Sequence, residues 1–202
     1  MLSWFTSGPP PVAGAVAIVV VWWVMGEART SIATELAEWI SRQRVFFVAS
    51  APLDAEGSVN LSPKGYDTLR IIDATTIAYL DLTGSGAETI AHVRENGRIT
   101  IMWCAFEGPA RIVRVHGRAE VVDLDDERIA GLFGPDRGAR AVLLVHVHRV
   151  ADSCGYAVPL MEYRGERERL RSWVAGKSDD ELDEYRRRKN ARSLDGLPAL
   201  DG

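Results

Sequence analysis

Five residues with the chemistry of an anion site fall close together in the chain: Ser62, Lys64, Thr83, Ser85 and Thr89. The run Thr83-Gly84-Ser85-Gly86-Ala87-Glu88-Thr89 reads as a Gly-rich turn feeding the start of a short amphipathic helix. The first amides of a helix have no partner within it, and its dipole favours negative charge there. Lys64 would give charge to a bound phosphate and the hydroxyls would give direction. The competing interpretation makes Lys64 a solvated turn lysine and Thr89 a helix starter. Gly84-Ser85-Gly86 is too short for a dinucleotide fingerprint or a P-loop.

A second group lies on one strand. Arg114, His116 and Arg118 alternate with Val113, Val115 and Gly117, so the two sets face opposite sides. Arg114 either pairs with an anionic cofactor or a neighbouring subunit, or belongs to an exposed strand face. His146 and His148 have the spacing of a metal pair, but no nearby Cys or Glu completes a site, and no metal is expected. His92 is expected at the surface of the short helix. The basic run Arg186 to Lys189 is expected to be a solvated helix face. No Ser-His-Asp signature and no paired catalytic carboxylates stand out.

The elements that must position these groups alternate between short strands and a few helices. Thr30 or Ser31 can cap a helix to about Gln43, with Ile32, Leu36, Trp39 and Ile40 on one face. Strands are expected over 45–50, 59–62, 69–72, 76–81, 98–105, 112–122 and 141–150. Pro63 ends regular pairing or marks an edge. Gly117 suggests a bulge or a close backbone approach. The helix over 86–95 stops at Asn96-Gly97. A helix with an acidic start is expected over 123–133. Beyond Glu162 the chain reads as helical, with a capping box at Ser178-Asp179-Asp180-Glu181. About six strands at short spacing imply a mainly β antiparallel barrel with peripheral helices.

Composition sets outer bounds. The 202 residues are 47% hydrophobic and 26% charged, ordinary for a globular chain of one domain. A net charge of −4 gives no general pull toward nucleic acid or an anionic membrane. Two cysteines, Cys104 and Cys154, suggest neither a disulfide framework nor a zinc site and suit a reducing cytoplasm. Residues 1–24 form an apolar leader without charge, shorter in its continuous run than the ~20 residues of a spanning helix. It reads as upstream of the true start at Met25, with a weak membrane anchor over 12–25 as the alternative.

The stretch from Val45 to Val122 resembles the pyridoxamine 5′-phosphate oxidase-like family of flavin-binding split barrels. The residues that carry the likeness are Ser62-Pro63-Lys64-Gly65, Thr83 through Asn96-Gly97-Arg98, and Arg114-Val115-His116-Gly117-Arg118-Ala119-Glu120. The resemblance implies a six-stranded antiparallel FMN-binding split barrel over 25–158, a helical C-terminal extension over 159–202, and a homodimer. It implies a flavin-dependent oxidoreductase acting on a small molecule, with a reduced nicotinamide or another electron donor. Cofactor-binding residues would be Ser62, Lys64, Thr83, Ser85, Thr89 and Arg114. The oxidase has basic residues where Val59, Glu88 and Thr89 stand, and a flavin-holding glutamine where Ile112 stands. Its C-terminal substrate signature is not evident after Met161, so vitamin B6 synthesis is not expected. Alternatives are a deazaflavin-dependent reductase and a non-catalytic flavin- or haem-binding protein. The tail Ser193 to Pro198 is expected to fold back toward the cofactor cleft.

Overall fold

Seven β-strands form one antiparallel sheet in a computed structural model that describes residues 28–200. The leader of residues 1–24 lies outside the described residues. The elements run α1 (Thr34–Ser41), β1 (Phe46–Ser50), β2 (Asn60–Lys64), β3 (Leu69–Asp73), β4 (Thr76–Leu82), α2 (Glu88–Asn96), β5 (Arg98–Cys104), β6 (Ile112–Val122), β7 (Ala139–Ser153), α3 (Arg169–Ala175) and α4 (Asp179–Asn190). The sheet order is β2-β1-β5-β6-β7-β4-β3. The strand count is therefore seven rather than six, with the short strands β2 and β3 at the two edges. Pro63 sits opposite Phe47 in edge strand β2, the kind of strand to which proline is confined within sheets.

The sheet curls into a barrel. Phe46 on β1 and Tyr79 on β4 are far apart in strand order, yet their rings meet edge to face at 5.7 Å. Strand alternation explains the interior: Phe46 and Val48 on β1, Ile99, Ile101 and Trp103 on β5, and Val113 and Val115 on β6 all point into one apolar cluster. Helix α1 lays Leu36 and Ile40 on that cluster, and α2 adds Ile90 and Val93.

Several boundaries differ from expectation. Helix α1 starts at Thr34, because Arg29 and Ile32 donate their amides to the carbonyls of Val150 and Ala74 and hold that segment extended. The expected helix over 123–133 is one 3-10 turn, Glu127–Ile129. Asp126 caps the Arg128 amide, and the Arg128 guanidinium and amide together hold the Asp126 carboxyl down at about 2. Gly131 then takes φ 74 and ends helical continuation. Residues 162–168 are not helical. The capping box at Ser178 and Glu181 starts α4, both reciprocal hydrogen bonds being present. No helix among the described residues is long and apolar enough to cross a membrane.

Two bulges in β7 decide where functional groups point. Opposite β4, the ladder passes from Asp81↔Ala141 to Leu82↔Ala139, leaving Arg140 as the extra residue. Opposite β6, it passes from His116↔Arg149 to Gly117↔Val147, leaving His148 extra. A bulge re-aims the side chain it inserts. Gly117 is needed at the second bulge, since a Cβ there would lie 2.7 Å from the His146 carbonyl oxygen and 2.7 Å from Val145 Cγ1.

Candidate functional site

Asn60, Ser62 and Lys64 alternate inward along β2, with Leu61 and Pro63 outward. Lys64 reaches β4, placing Nζ 2.8 Å from Asp81 Oδ1. Arg140 Nε donates to the other oxygen of Asp81 at 2.7 Å. Asp81 is 1% exposed and Arg140 5%, against 23% for Lys64. Burial alone would raise the Asp81 carboxyl, but Lys64 and Arg140 overcome it and hold the group below the usual carboxylate range. Two cations around one anion leave the cluster one positive charge in excess.

That excess faces the turn into α2. Arg140 Nη2 donates to the Gly86 carbonyl at 2.9 Å, while its Nη1 is buried without a hydrogen-bond partner. No side chain caps the amino terminus of α2, and Ala87 occupies the cap position. Ser85 is exposed on the turn. A buried guanidinium nitrogen lacking a partner beside an uncapped helix start suits an oxyanion.

The other expected phosphate donors are differently engaged. The Thr83 hydroxyl is buried, donates to the Gly138 carbonyl at 2.9 Å and accepts from Arg186 Nε at 3.1 Å, so it ties β4 to the start of β7. Thr89 accepts from Asn60 Nδ2 at 2.9 Å. The same Asn60 nitrogen donates to Ser50 Oγ, and Ser62 donates to Asn60 Oδ1. Ser50 Oγ also meets His92 Nδ1 at 3.0 Å. His92 is thus fully buried rather than a surface residue, because the α2 face that carries it turns toward β1. Arg114 is not part of this set. Its strand register places it with Phe47 and Met102 on the outer face, where Nη1 donates to Ser153 Oγ.

The C-terminal segment covers the turn. Asn190 Nδ2 donates to the Gly84 carbonyl, and the Leu194 amide donates to Glu88 in the first turn of α2. Asp195 accepts from the Ser58 amide at 2.7 Å and its hydroxyl at 3.0 Å. Arg186 also donates to the carbonyls of Arg137 and Ala139, so it is a fastening residue rather than part of a solvated face. Sequence reasoning missed Asp81, Arg140 and Asn190. The available signal was a charged residue interrupting an apolar strand, as Asp81 does in Ala-Tyr-Leu-Asp-Leu and Arg140 in Ala-Arg-Ala-Val.

A cleft of ≈ 360 Å³ opens on the outer face of the sheet, lined in part by Ala49, Ser50, Val59, Thr100, His116 and His148. His116 Nδ1 lies 3.0 Å from Thr100 Oγ1 on the paired strand. Among the described residues, no group of three or more potential metal ligands is present.

An antiparallel barrel open at one seam, with a basic pocket at a helix start, defines a split-barrel protein. The family model for pyridoxamine 5′-phosphate oxidase matches residues 32–154, and the chain belongs to that family. It is 38% identical over 190 residues to the pyridoxamine 5′-phosphate oxidase family protein ustO of Aspergillus flavus, covering 84% of this chain and 76% of the relative. Among solved structures it is similar to HupZ of Group A Streptococcus, at 26% identity and a TM-score of 0.47, over 61% of this chain and 94% of HupZ. It is also similar to an FAD-binding protein from Mesorhizobium loti, at 16% identity and a TM-score of 0.40, over 62% of this chain and 96% of that one.

Proposed function

We propose that the chain binds flavin mononucleotide and is an oxidoreductase acting on a small molecule, with a separate electron donor. The observation that carries this is Arg140, whose buried Nη1 has no partner while its neighbouring nitrogens hold Asp81 and the turn before α2. The donor set fits a phosphate monoester: Lys64 and Arg140 supply charge, Ser85 and the first α2 amides supply direction, and Ser62 and Thr89 flank them. A bound flavin supplies hydride or electron transfer itself, which accounts for an oxidoreductase without a catalytic triad. The protein's share is to orient and to exclude water. The C-terminal segment does part of this by covering the Gly84–Gly86 turn.

Homodimerisation is part of the proposal. Val59 and Leu61 point away from the barrel at 76% and 63% exposure, beside edge strand β2. Exposed apolar side chains grouped in this way suit burial against a second copy. Arg114 faces away from the Lys64 set and would meet a flavin only across such a contact.

The test is an absorption spectrum of the chain after adding flavin mononucleotide and desalting. Retained bands near ~370 and ~450 nm, lost in Lys64→Ala, are expected. A folded chain that retains no flavin overturns the cofactor assignment; retention of a deazaflavin instead transfers the site to that cofactor. Redox turnover of the loaded protein with a reduced nicotinamide separates an enzyme from a flavin carrier.

A further inference from the structure

Arg186 and Asn190 stand four residues apart on α4 and so share one face with Leu182. Arg186 grips the segment that leads into the Arg140 bulge. Its Nη2 donates to the Arg137 carbonyl at 3.1 Å and the Ala139 carbonyl at 3.0 Å, and its Nε to Thr83 Oγ1 at 3.1 Å. Thr83 in turn donates its amide and its hydroxyl to the Gly138 carbonyl, at 2.7 and 2.9 Å. The carbonyls of Arg137, Gly138 and Ala139, just ahead of Arg140, are thereby all fixed. Asn190 grips the other half of the cradle. Its Nδ2 donates to the Gly84 carbonyl at 2.9 Å and lies 3.5 Å from the Gly86 carbonyl oxygen, the atom that also accepts from Arg140 Nη2.

We propose that Arg186 and Asn190 are positioning residues for the oxyanion cradle: they clamp Arg140 and the turn before α2 into one geometry, and docking of α4 is coupled to retention of the flavin phosphate. This rests on the reading of the cradle as a flavin-phosphate site. A bulge carries one residue more than its partner strand can pair, so its aim depends on what fixes its flanks. Arg186 does this with the planar fork of a guanidinium, which makes several directed bonds at once. Its partners are the neutral oxygens above and Asp183 on its own helix.

Coupling follows from how lightly α4 is held. Its buried residues are Leu182 and Asn190 alone, and a segment with little buried apolar surface opens at low cost. When α4 lifts, the Arg137, Ala139 and Gly84 carbonyls lose their donors, and Arg140 loses its fixed aim. The Leu194 amide on Glu88 and Asp195 on Ser58 belong to the same docked segment and lift with it. A phosphate that binds the aimed form better than the loosened one draws α4 down by the same factor, because linkage is reciprocal.

Four variants of the full chain separate positioning from charge and from folding: Arg186→Lys, Arg186→Gln, Asn190→Ala and, as a control, Arg187→Gln, whose guanidinium pairs with exposed Glu184. Flavin mononucleotide is titrated into each and followed by quenching of its fluorescence. Arg186→Lys keeps the charge but loses the fork. It should weaken flavin binding as much as Arg186→Gln does, each by about tenfold, inside the ~5–150-fold span of coupling between sites. Asn190→Ala should weaken it as well, and Arg187→Gln should not. Amide exchange should quicken over 82–88 and 137–141 in both Arg186 variants while β5 and β6 stay unchanged, and flavin should slow exchange over 179–200 in the parent chain. Full flavin affinity in Arg186→Lys would make Arg186 a source of charge alone and overturn the clamp. So would flavin binding that leaves exchange over 179–200 unaltered, or Arg186 variants that loosen β5 and β6 as much as 82–88. A parent chain that retains no flavin sinks the cofactor assignment instead. Exchange over 82–88 and 137–141 then decides the clamp by itself: quickening in Arg186→Lys upholds the positioning role, and unchanged exchange overturns it.

Discussion

Lys64 Nζ stands 2.8 Å from Asp81 Oδ1 and so joins edge strand β2 to β4, from opposite ends of the sheet. Arg140 holds the second oxygen of the same carboxylate. The pair closes the barrel where backbone hydrogen bonding does not, and it keeps both cations beside the start of α2. Replacing Asp81 by Asn leaves Lys64 and buried Arg140 without their anion. Breaking a buried pair in this way costs about 3–5 kcal/mol. The midpoint of urea denaturation should fall accordingly, with an unchanged slope; an unmoved midpoint would show that the triad does not hold the seam.

The same carboxylate predicts acid sensitivity. Its folded pKa is depressed relative to the unfolded value of about 3.9. A depressed carboxyl contributes stability that is fully present above the unfolded pKa and is lost as pH falls through the folded one. Urea midpoints should therefore be flat in this contribution from about pH 7 to 5 and drop below about pH 4. The drop should be smaller in Asp81→Asn than in the parent chain; an equal drop would assign the acid sensitivity to other groups.

Asp195 should govern protease resistance of the tail. Its two oxygens hold the Ser58 amide and hydroxyl, while Ala199 is 1% exposed and Leu197 packs on the barrel. Limited proteolysis should spare residues 193–198 in the parent chain and cut them faster in Asp195→Ala. Equal cutting rates would mean that Asn190 and Leu194 hold the segment without it.

Gly117→Ala should destabilise the second β7 bulge. The added methyl would meet a carbonyl oxygen and a buried valine, each at 2.7 Å. Overpacking of this kind costs about 1–3 kcal/mol. A lowered thermal midpoint is expected, together with altered His148 resonances, since the bulge aims that ring.

Ser178→Ala tests the C-terminal cap separately from the barrel. Ser178 accepts from the Glu181 amide, and the Glu181 carboxylate accepts from the Ser178 amide. Loss of the serine costs about 1 kcal/mol. Amide exchange should quicken in the first turn of α4 and remain unchanged in β5 and β6.

Local pattern was enough to identify most of the framework. A β-branched and aromatic run marked β1, alternation marked the two faces of β6, and Asn96-Gly97 marked the end of α2, where Gly97 indeed takes φ 69. The capping box at Ser178 was legible because all its partners lie within four residues. The helix expected over 123–133 was not, since Asp126 and Arg128 found closer partners in each other and in Glu120 than a helix would offer.

The sequence by itself determined the class of fold and the outward set Arg114, His116 and Arg118. These depend on periodicities of two and 3.6 and on turn chemistry within a few residues. Only the tertiary structure decided that Lys64 meets Asp81, that Arg140 joins them from 59 residues further along, and that His92 lies buried against Ser50. Only the ladders decided that Arg140 and His148 are the residues β7 bulges out. A register shift depends on what the neighbouring strand presents, and a strand's own residues do not contain that information.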